Sequence, residues 1–202
     1  MTFGTIRVFG PLEEVFELMP SPIAHLAAGY ATYYLSRSRK PQMKVETLGP
    51  LPTPLLVAAG FSMLPDVDSL AGLLLGNFGR FHNNATHSLI VGLGAALIFG
   101  GIMWIRERTG FGYWVMLALL SYETHILMDS ATISRGVMAF WPISAERYLL
   151  PFRLFYGFHW SDGLLSIRHI WTFLTEGVFA AVLIAFVHLF RSARKLAPKQ
   201  GN

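Results

Sequence analysis

Tyr122-Glu123-Thr124-His125-Ile126-Leu127-Met128-Asp129 closes an apolar run and sets a histidine and an aspartate four residues apart. On a helix that spacing puts both side chains on one face, one turn apart. A neutral imidazole beside a carboxylate is a ligand pair for zinc, manganese or iron. A core histidine bonded to a neighbouring acid is the plain alternative, and the rest of the chain has to decide between them.

The chain has 202 residues, 53% hydrophobic and 14% charged, with a mean hydropathy of +0.46. Soluble domains carry nearer about 25% charged residues, so this composition reads as a membrane protein. The absence of cysteine excludes a disulfide framework, a thiolate metal site and a cysteine nucleophile. The net charge of +4 resides in short basic tracts beside apolar runs. That pattern suits topology setting and anionic headgroups, and speaks against nucleic acid as a partner. The acidic first twenty residues lack the features of a cleavable signal peptide.

Residues 1–20 read as an amphipathic lead-in punctuated by Pro11 and Pro20. Ser21 and Pro22 suit the cap and first position of a helix. That helix is apolar from Ile23 to Leu35, holds His25 one turn in, and stops at Arg37-Ser38-Arg39-Lys40. After a proline-rich connector over 41–54, Leu55 to Leu64 is apolar and breaks at Leu64-Pro65-Asp66-Val67-Asp68. It resumes over 69–75 and ends at Gly76-Asn77-Phe78-Gly79-Arg80, giving one interrupted element with two carboxylates at the break. Phe81-His82-Asn83-Asn84-Ala85-Thr86-His87-Ser88 leads into a run over 89–105 whose Gly92, Gly94, Gly100 and Gly101 predict close packing. Residues 113–128 run into Asp129, and the aromatic-rich 131–167 predicts a loop with short interfacial helices. Crossing a bilayer takes about 20 residues. Stretches 88–105, 112–130 and 170–190 qualify, whereas the first two elements are short or broken.

The positive-inside rule puts Arg37, Arg39, Lys40 and Lys44 in the cytoplasm. Alternating helices then bring Arg106 and Arg108, and Arg191, Arg194, Lys195 and Lys199, to the same side, with the N-terminus outside and the C-terminus inside. Arg7, Arg80, Arg135, Arg147, Arg153 and Arg168 spread over longer outer segments. This placement uses lysines and arginines alone. It nevertheless sends every histidine except His188 to the outer face, together with Asp66, Asp68 and Asp129. Ionisable groups gathered near membrane depth usually mark function. The predicted fold is an all-α polytopic bundle of about five membrane helices with an extracytoplasmic metal site. Residues 1–20 form the lead-in, 21–192 one membrane-embedded domain, and 193–202 a basic cytoplasmic tail.

His25, Leu64-Pro65-Asp66-Val67-Asp68, His82-x-x-x-Thr86-His87-Ser88, His125-x-x-x-Asp129-x-x-Thr132-x-x-x-Gly136 and Trp141-Pro142, in that order, resemble the YdjM-like family over residues 21–165. Its members are inner-membrane proteins predicted to be metal-dependent hydrolases, so the resemblance implies a class and no substrate. The order of ligand types (an early His, then Asp, then His, then His-x-x-x-Asp) is also similar to the zinc-dependent phospholipase C and single-strand nuclease group. That more distant likeness implies phosphodiester hydrolysis, with Asp129 bridging two metals and Asp66 or Asp68 as ligand or base. The group's later His-x-x-x-Glu pair is missing; His159, Asp162 and His169 are stand-ins.

His25, Asp66, Asp68, His82, His87, His125 and Asp129 supply ligands for one or two divalent ions, zinc first and manganese second. Asp66 and Asp68 are the candidate catalytic carboxylates. Thr86 and Thr132 would orient ligands, or simply cap and back-bond their helices. Arg135, Arg147 and Arg153 could grip a phosphate or anchor on headgroups. Glu123 and Glu176 sit inside apolar runs, Glu176 either facing the site or satisfied in the interior. The expected activity is that of a multi-pass inner-membrane hydrolase cleaving a phosphoester or phosphodiester of a lipid or lipid-linked substrate near the outer face. An amide or ester hydrolase is the second enzyme reading, and without His-Glu-x-x-His it would not be zincin-like. A metal transporter or a non-catalytic scaffold is the alternative outside enzymes, although transport usually needs polar groups deep in several spans. Ser88 and Ser130 have no separate triad to serve them.

Overall fold

The computed structural model describes residues 18–19, 21–44, 46–75, 82–159 and 166–196. The lead-in up to residue 17, the turn at 76–80, Asp162 and the end of the basic tail lie outside the described residues. The fold is mostly helical: α1 (Pro22–Ser36), α2 (Thr53–Met63), α3 (Val67–Leu74), α4 (Leu89–Glu107), α5 (Phe111–Ser130) and α6 (Ile170–Leu196). Two short antiparallel pairs accompany them. β1 (Leu18–Met19) pairs with β4 (Phe158–His159), and β2 (Thr47–Leu48) with β3 (Leu51–Pro52).

Local chemistry sets the helix ends. Ser21 caps α1, its hydroxyl accepting from the Ile23 N–H, with Pro22 in the first turn where a missing N–H costs nothing. Ser88 caps α4 in the same way through Ile90 and Val91. Pro65 withholds the N–H that a continuous helix would use, and the chain tightens into a 3-10 turn over Leu64–Asp66 between α2 and α3.

Thr53–Gly72, Leu89–Glu107 and Ile170–Lys195 are long and apolar enough to cross a membrane. This differs from the sequence expectation in two places. The broken second element is long enough after all, because the break is a single tight turn. By contrast α5 has 20 residues but carries Glu123, His125 and Asp129 in its last turns, and one side of it is buried against three other helices while Met116, Leu120 and Leu127 stay exposed. Its Val115, Ala118, Tyr122 and Ile126 pack on Phe61 of α2 and Ala96 of α4. Trp114 and Leu117 meet Tyr33 of α1, Ala58 of α2 and Met103 of α4, and Met128 meets Ala24 and Ala28 of α1. α6 is the opposite case, with only 11% of its most apolar stretch buried inside the protein, as expected of a helix facing lipid.

Close approach at three glycines holds α1, α2, α4 and α5 together, Gly92 lying against Tyr122 of α5. A Cβ on Gly100 would lie 2.3 Å from Val115 Cγ2, and one on Gly29 would lie 2.9 Å from the backbone oxygen of Ala58 and 2.6 Å from Ser62 Oγ. Gly94 and Gly101, grouped with Gly100 by the sequence, face open space. Gly29→Leu should therefore push α1 off α2 and cost about 1–3 kcal/mol. A lower thermal midpoint in detergent, with Gly94→Leu unchanged, checks this; equal midpoints would mean the two helices are not in tight contact.

Of the stretch 131–167, predicted as a loop with short interfacial helices, residues 131–157 form the loop and hold no α-helix. Backbone bonds tie the segment back over the end of α5 instead. Leu150 N donates to Ser130 O, Leu154 N to Ala131 O, and Val137 and Tyr148 exchange a reciprocal pair. Phe155 turns inward onto Ala24, Ala28 and Met128. Phe140, Trp141, Tyr148, Phe152 and Tyr156 remain exposed, as suits rings at a membrane interface.

Candidate metal centre

Asp129, one turn beyond His125 on α5, is fully buried and is the hub of the centre. His25 Nε2 from α1 lies 3.3 Å from its Oδ1. His87, His125 and His82 present Nε2 to its Oδ2 at 2.9, 3.5 and 3.7 Å. Asp66, on the 3-10 turn, brings Oδ1 to 3.4 Å from His125 Nε2 and 3.7 Å from His87 Nε2. Two ligand atoms on one tetrahedral zinc at about 2.1 Å are separated by about 3.4 Å, so these spacings are of the size that a shared ion sets.

The outer nitrogens explain why the inner ones converge. His125 Nδ1 is 2.7 Å from the Ser62 carbonyl, which can only accept, so Nδ1 carries a proton and Nε2 is the nitrogen turned toward the carboxylates. Asp68 stands behind two more rings, with Oδ2 3.1 Å from His87 Nδ1 and Oδ1 3.3 Å from His82 Nδ1. Thr86 donates to Asp68 Oδ2 at 2.6 Å, and Ser69 Oγ lies 3.0 Å from His82 Nδ1. A carboxylate or carbonyl on the outer nitrogen is the arrangement that orients metal-binding histidines.

The inner atoms are left without donors. Both Asp129 oxygens, Asp66 Oδ1, His82 Nε2 and both His25 nitrogens are buried with no hydrogen-bond partner among the described residues. His87 Nε2 and His125 Nε2 face each other at 3.2 Å. Bare lone pairs and carboxylates crowded this way call for a cation between them. Asp66, His87, His125 and Asp129 form one group able to hold an ion, and Asp68, His82 and His87 a second, each with ligand atoms within 4.8 Å of one another. The centre opens at Asp66, whose side chain is 19% exposed while the four histidines and Asp129 are at or below 3%.

The chain matches the model of the YdjM inner membrane protein family over residues 19–196. It belongs to that family. The match covers nearly all of the helical bundle, including every histidine and aspartate of the centre. Inner membrane protein YbcI of Escherichia coli (strain K12) is 37% identical over 110 residues, 50% of this chain and 61% of that protein. The chain thus spans less than two thirds of that relative's length. No solved structure matches it.

All seven residues singled out from the sequence (His25, Asp66, Asp68, His82, His87, His125 and Asp129) lie in this cluster. Thr86 contacts Asp68. Thr132 instead back-bonds to the Met128 carbonyl at 2.9 Å. His169 is buried outside both groups, β4 includes His159, and Glu176 belongs to the α1 cap. Sequence reasoning missed two supports. Tyr122 donates to the Thr86 carbonyl and holds the turn bearing His87; its spacing from His125 and Asp129 places it on their face, so helical periodicity carried that signal. Ser62 acts through its backbone oxygen, which no side chain advertises.

Around the cluster the electrostatics follow from burial and neighbours. Burial, with Arg147 alongside, pushes Arg135 down to about 10. An apolar groove of about 530 Å³ lies along the other stripe of α5, lined by Leu120, Leu127, Val137, Phe140 and Leu150 with Glu123 as its one carboxylate.

Proposed function

We propose that this chain is a membrane-bound, metal-dependent hydrolase acting on a phosphoester or phosphodiester of a lipid or lipid-linked substrate. The observation that carries the reading is the convergence of four imidazole Nε2 atoms on the oxygens of Asp129 and Asp66, with both Asp129 oxygens, Asp66 Oδ1 and the Nε2 atoms of His25 and His82 buried and without a hydrogen-bond partner among the described residues. His25, His87, His125, Asp129 and Asp66 would hold the ion, zinc first and manganese second, with His82 completing the set or serving a second ion. Such a metal supplies an activated water and charge stabilisation on a phosphoryl oxygen.

The chain's own groups do the rest. Asp68 and the Ser62 carbonyl keep the imidazoles aimed inward. Asp66, exposed at the opening, is the carboxylate placed to take a proton from attacking water. Exposed aromatics on the segment that caps α5 support a site at headgroup depth and hence a lipid substrate. The proposed topology has this end outside the cytoplasm, with the C-terminus inside.

Elemental analysis of detergent-purified protein tests the reading. Near one or two zinc or manganese per chain is expected, with phosphodiesterase turnover that a chelator removes and added metal restores. Metal transport into proteoliposomes without hydrolysis would make it a transporter. No retained metal after repletion would end the hydrolase reading.

A further inference from the structure

Two arginines of the segment capping α5 converge on the loop that carries His82. Arg135 Nη2 donates to the His82 carbonyl and lies 3.5 Å from Asn84 Oδ1. Arg147 Nη2 donates to the same Asn84 Oδ1 at 2.5 Å, and its Nη1 donates to the carbonyls of Asn83 and Gly136 at 2.9 Å each. One amide oxygen therefore sits between two half-buried guanidinium groups. Like charges held this close repel, and partial burial strengthens the repulsion. No carboxylate lies within ion-pair distance of Arg147 among the described residues. The same loop leaves Asn83 Oδ1 buried without a donor. Arg153, the third arginine of this segment, bonds only to the nearby carbonyls of Leu150 and Phe152 and is exposed.

We propose that Arg135 and Arg147, held around Asn84 at the rim of the metal cluster, form an anion subsite that takes a phosphate group. A guanidinium fork matches two phosphate oxygens at once, and two forks meeting at one point favour a tetrahedral anion over a planar carboxylate. Use of the subsite in catalysis rests on the hydrolase reading; its binding chemistry does not. Asp68 already acts on Arg135; a phosphate gripped there would bring charge to Arg147 and a phosphoryl group to the side of the cluster that carries His82.

The test is calorimetric titration of inorganic phosphate into detergent-purified protein, stripped of metal and again zinc-loaded. Losing a charged hydrogen bond of about 1.5–3 kcal/mol corresponds to roughly 10–100-fold weaker phosphate binding. Arg147→Gln and Arg135→Gln should each show that loss in both states while keeping zinc stoichiometry. Arg147→Lys, which keeps the charge and loses the fork, should recover only part and guards against a folding defect. Wild-type phosphate affinity in the folded Gln variants would overturn the proposal. Failure of the wild type to bind zinc would sink the hydrolase reading and leave the metal-free titration to judge the arginines. Nanodiscs with and without phosphatidic acid then separate sources: competition with inorganic phosphate assigns the subsite to a lipid headgroup, and its absence to a soluble phosphate ester.

Discussion

Asp129→Asn is expected to remove the bound metal and all turnover that depends on it. The substitution keeps shape and burial but cuts the charge at the one residue that every imidazole of the centre faces. Loss of an outer partner of a metal site typically costs about 10–100-fold in affinity, and a central ligand should exceed that. The measurement is zinc per chain beside the metal-induced rise in thermal midpoint, since an ion that binds only the folded protein raises its stability in proportion to log concentration. Both should vanish in the variant. Retention of wild-type zinc would show that Asp129 is a structural acid and that the ion, if any, sits elsewhere.

Glu176→Ala is expected to have the second-largest effect, and on stability rather than chemistry. Glu176 Oε1 accepts from Ser21 N at 2.8 Å, and Oε2 accepts from the Ser21 hydroxyl and from Ala24 N at 3.3 Å. A carboxylate on α6 thus satisfies the N-terminus of α1, where unpaired N–H groups and the positive end of the helix dipole favour it. Only 11% of the most apolar stretch of α6 is buried inside the protein, and in lipid apolar contact alone drives helices together weakly. Stranding the buried donors should cost about 1–3 kcal/mol each and lower the detergent thermal midpoint by many degrees. Glu176→Gln, which keeps one acceptor, should fall between. His25 rides on the same turn of α1, so metal affinity should drop less than in Asp129→Asn. Unchanged stability with lost turnover would instead make Glu176 a participant in the reaction.

Much of the centre was legible because charge and hydropathy constrain a membrane chain strongly. Alternating the basic tracts was enough to gather His25, Asp66, His82, His87, His125 and Asp129 at one end, and the structure brings them within contact of one another. What escaped was relational. Nothing in the residue type of Asp68 says that its two oxygens lie against the outer nitrogens of two imidazoles. The burial of one side of α5 follows from packing on three neighbours, which a single hydrophobic run does not encode. The aromatic-rich stretch 131–167 reads as a loop with short interfacial helices; over 131–157 the loop is there, and paired backbone groups and the inward turn of Phe155 decide its shape in place of the helices.

The break at Pro65 has an engineering consequence. In a straight helix the Ser62 carbonyl would be engaged by the N–H four residues on; in a 3-10 turn its partner would be Pro65, which has no N–H, and His125 takes the oxygen. The same turn delivers Asp66 to the opening. One backbone irregularity thus supplies a ligand and the tautomer lock of another ligand. A designer grafting this centre onto a regular helical scaffold would transplant the side chains and still lose both, so a portable unit has to carry the kinked element of α2 and α3 along with α5, the first turn of α1 and the loop bearing His82 and His87.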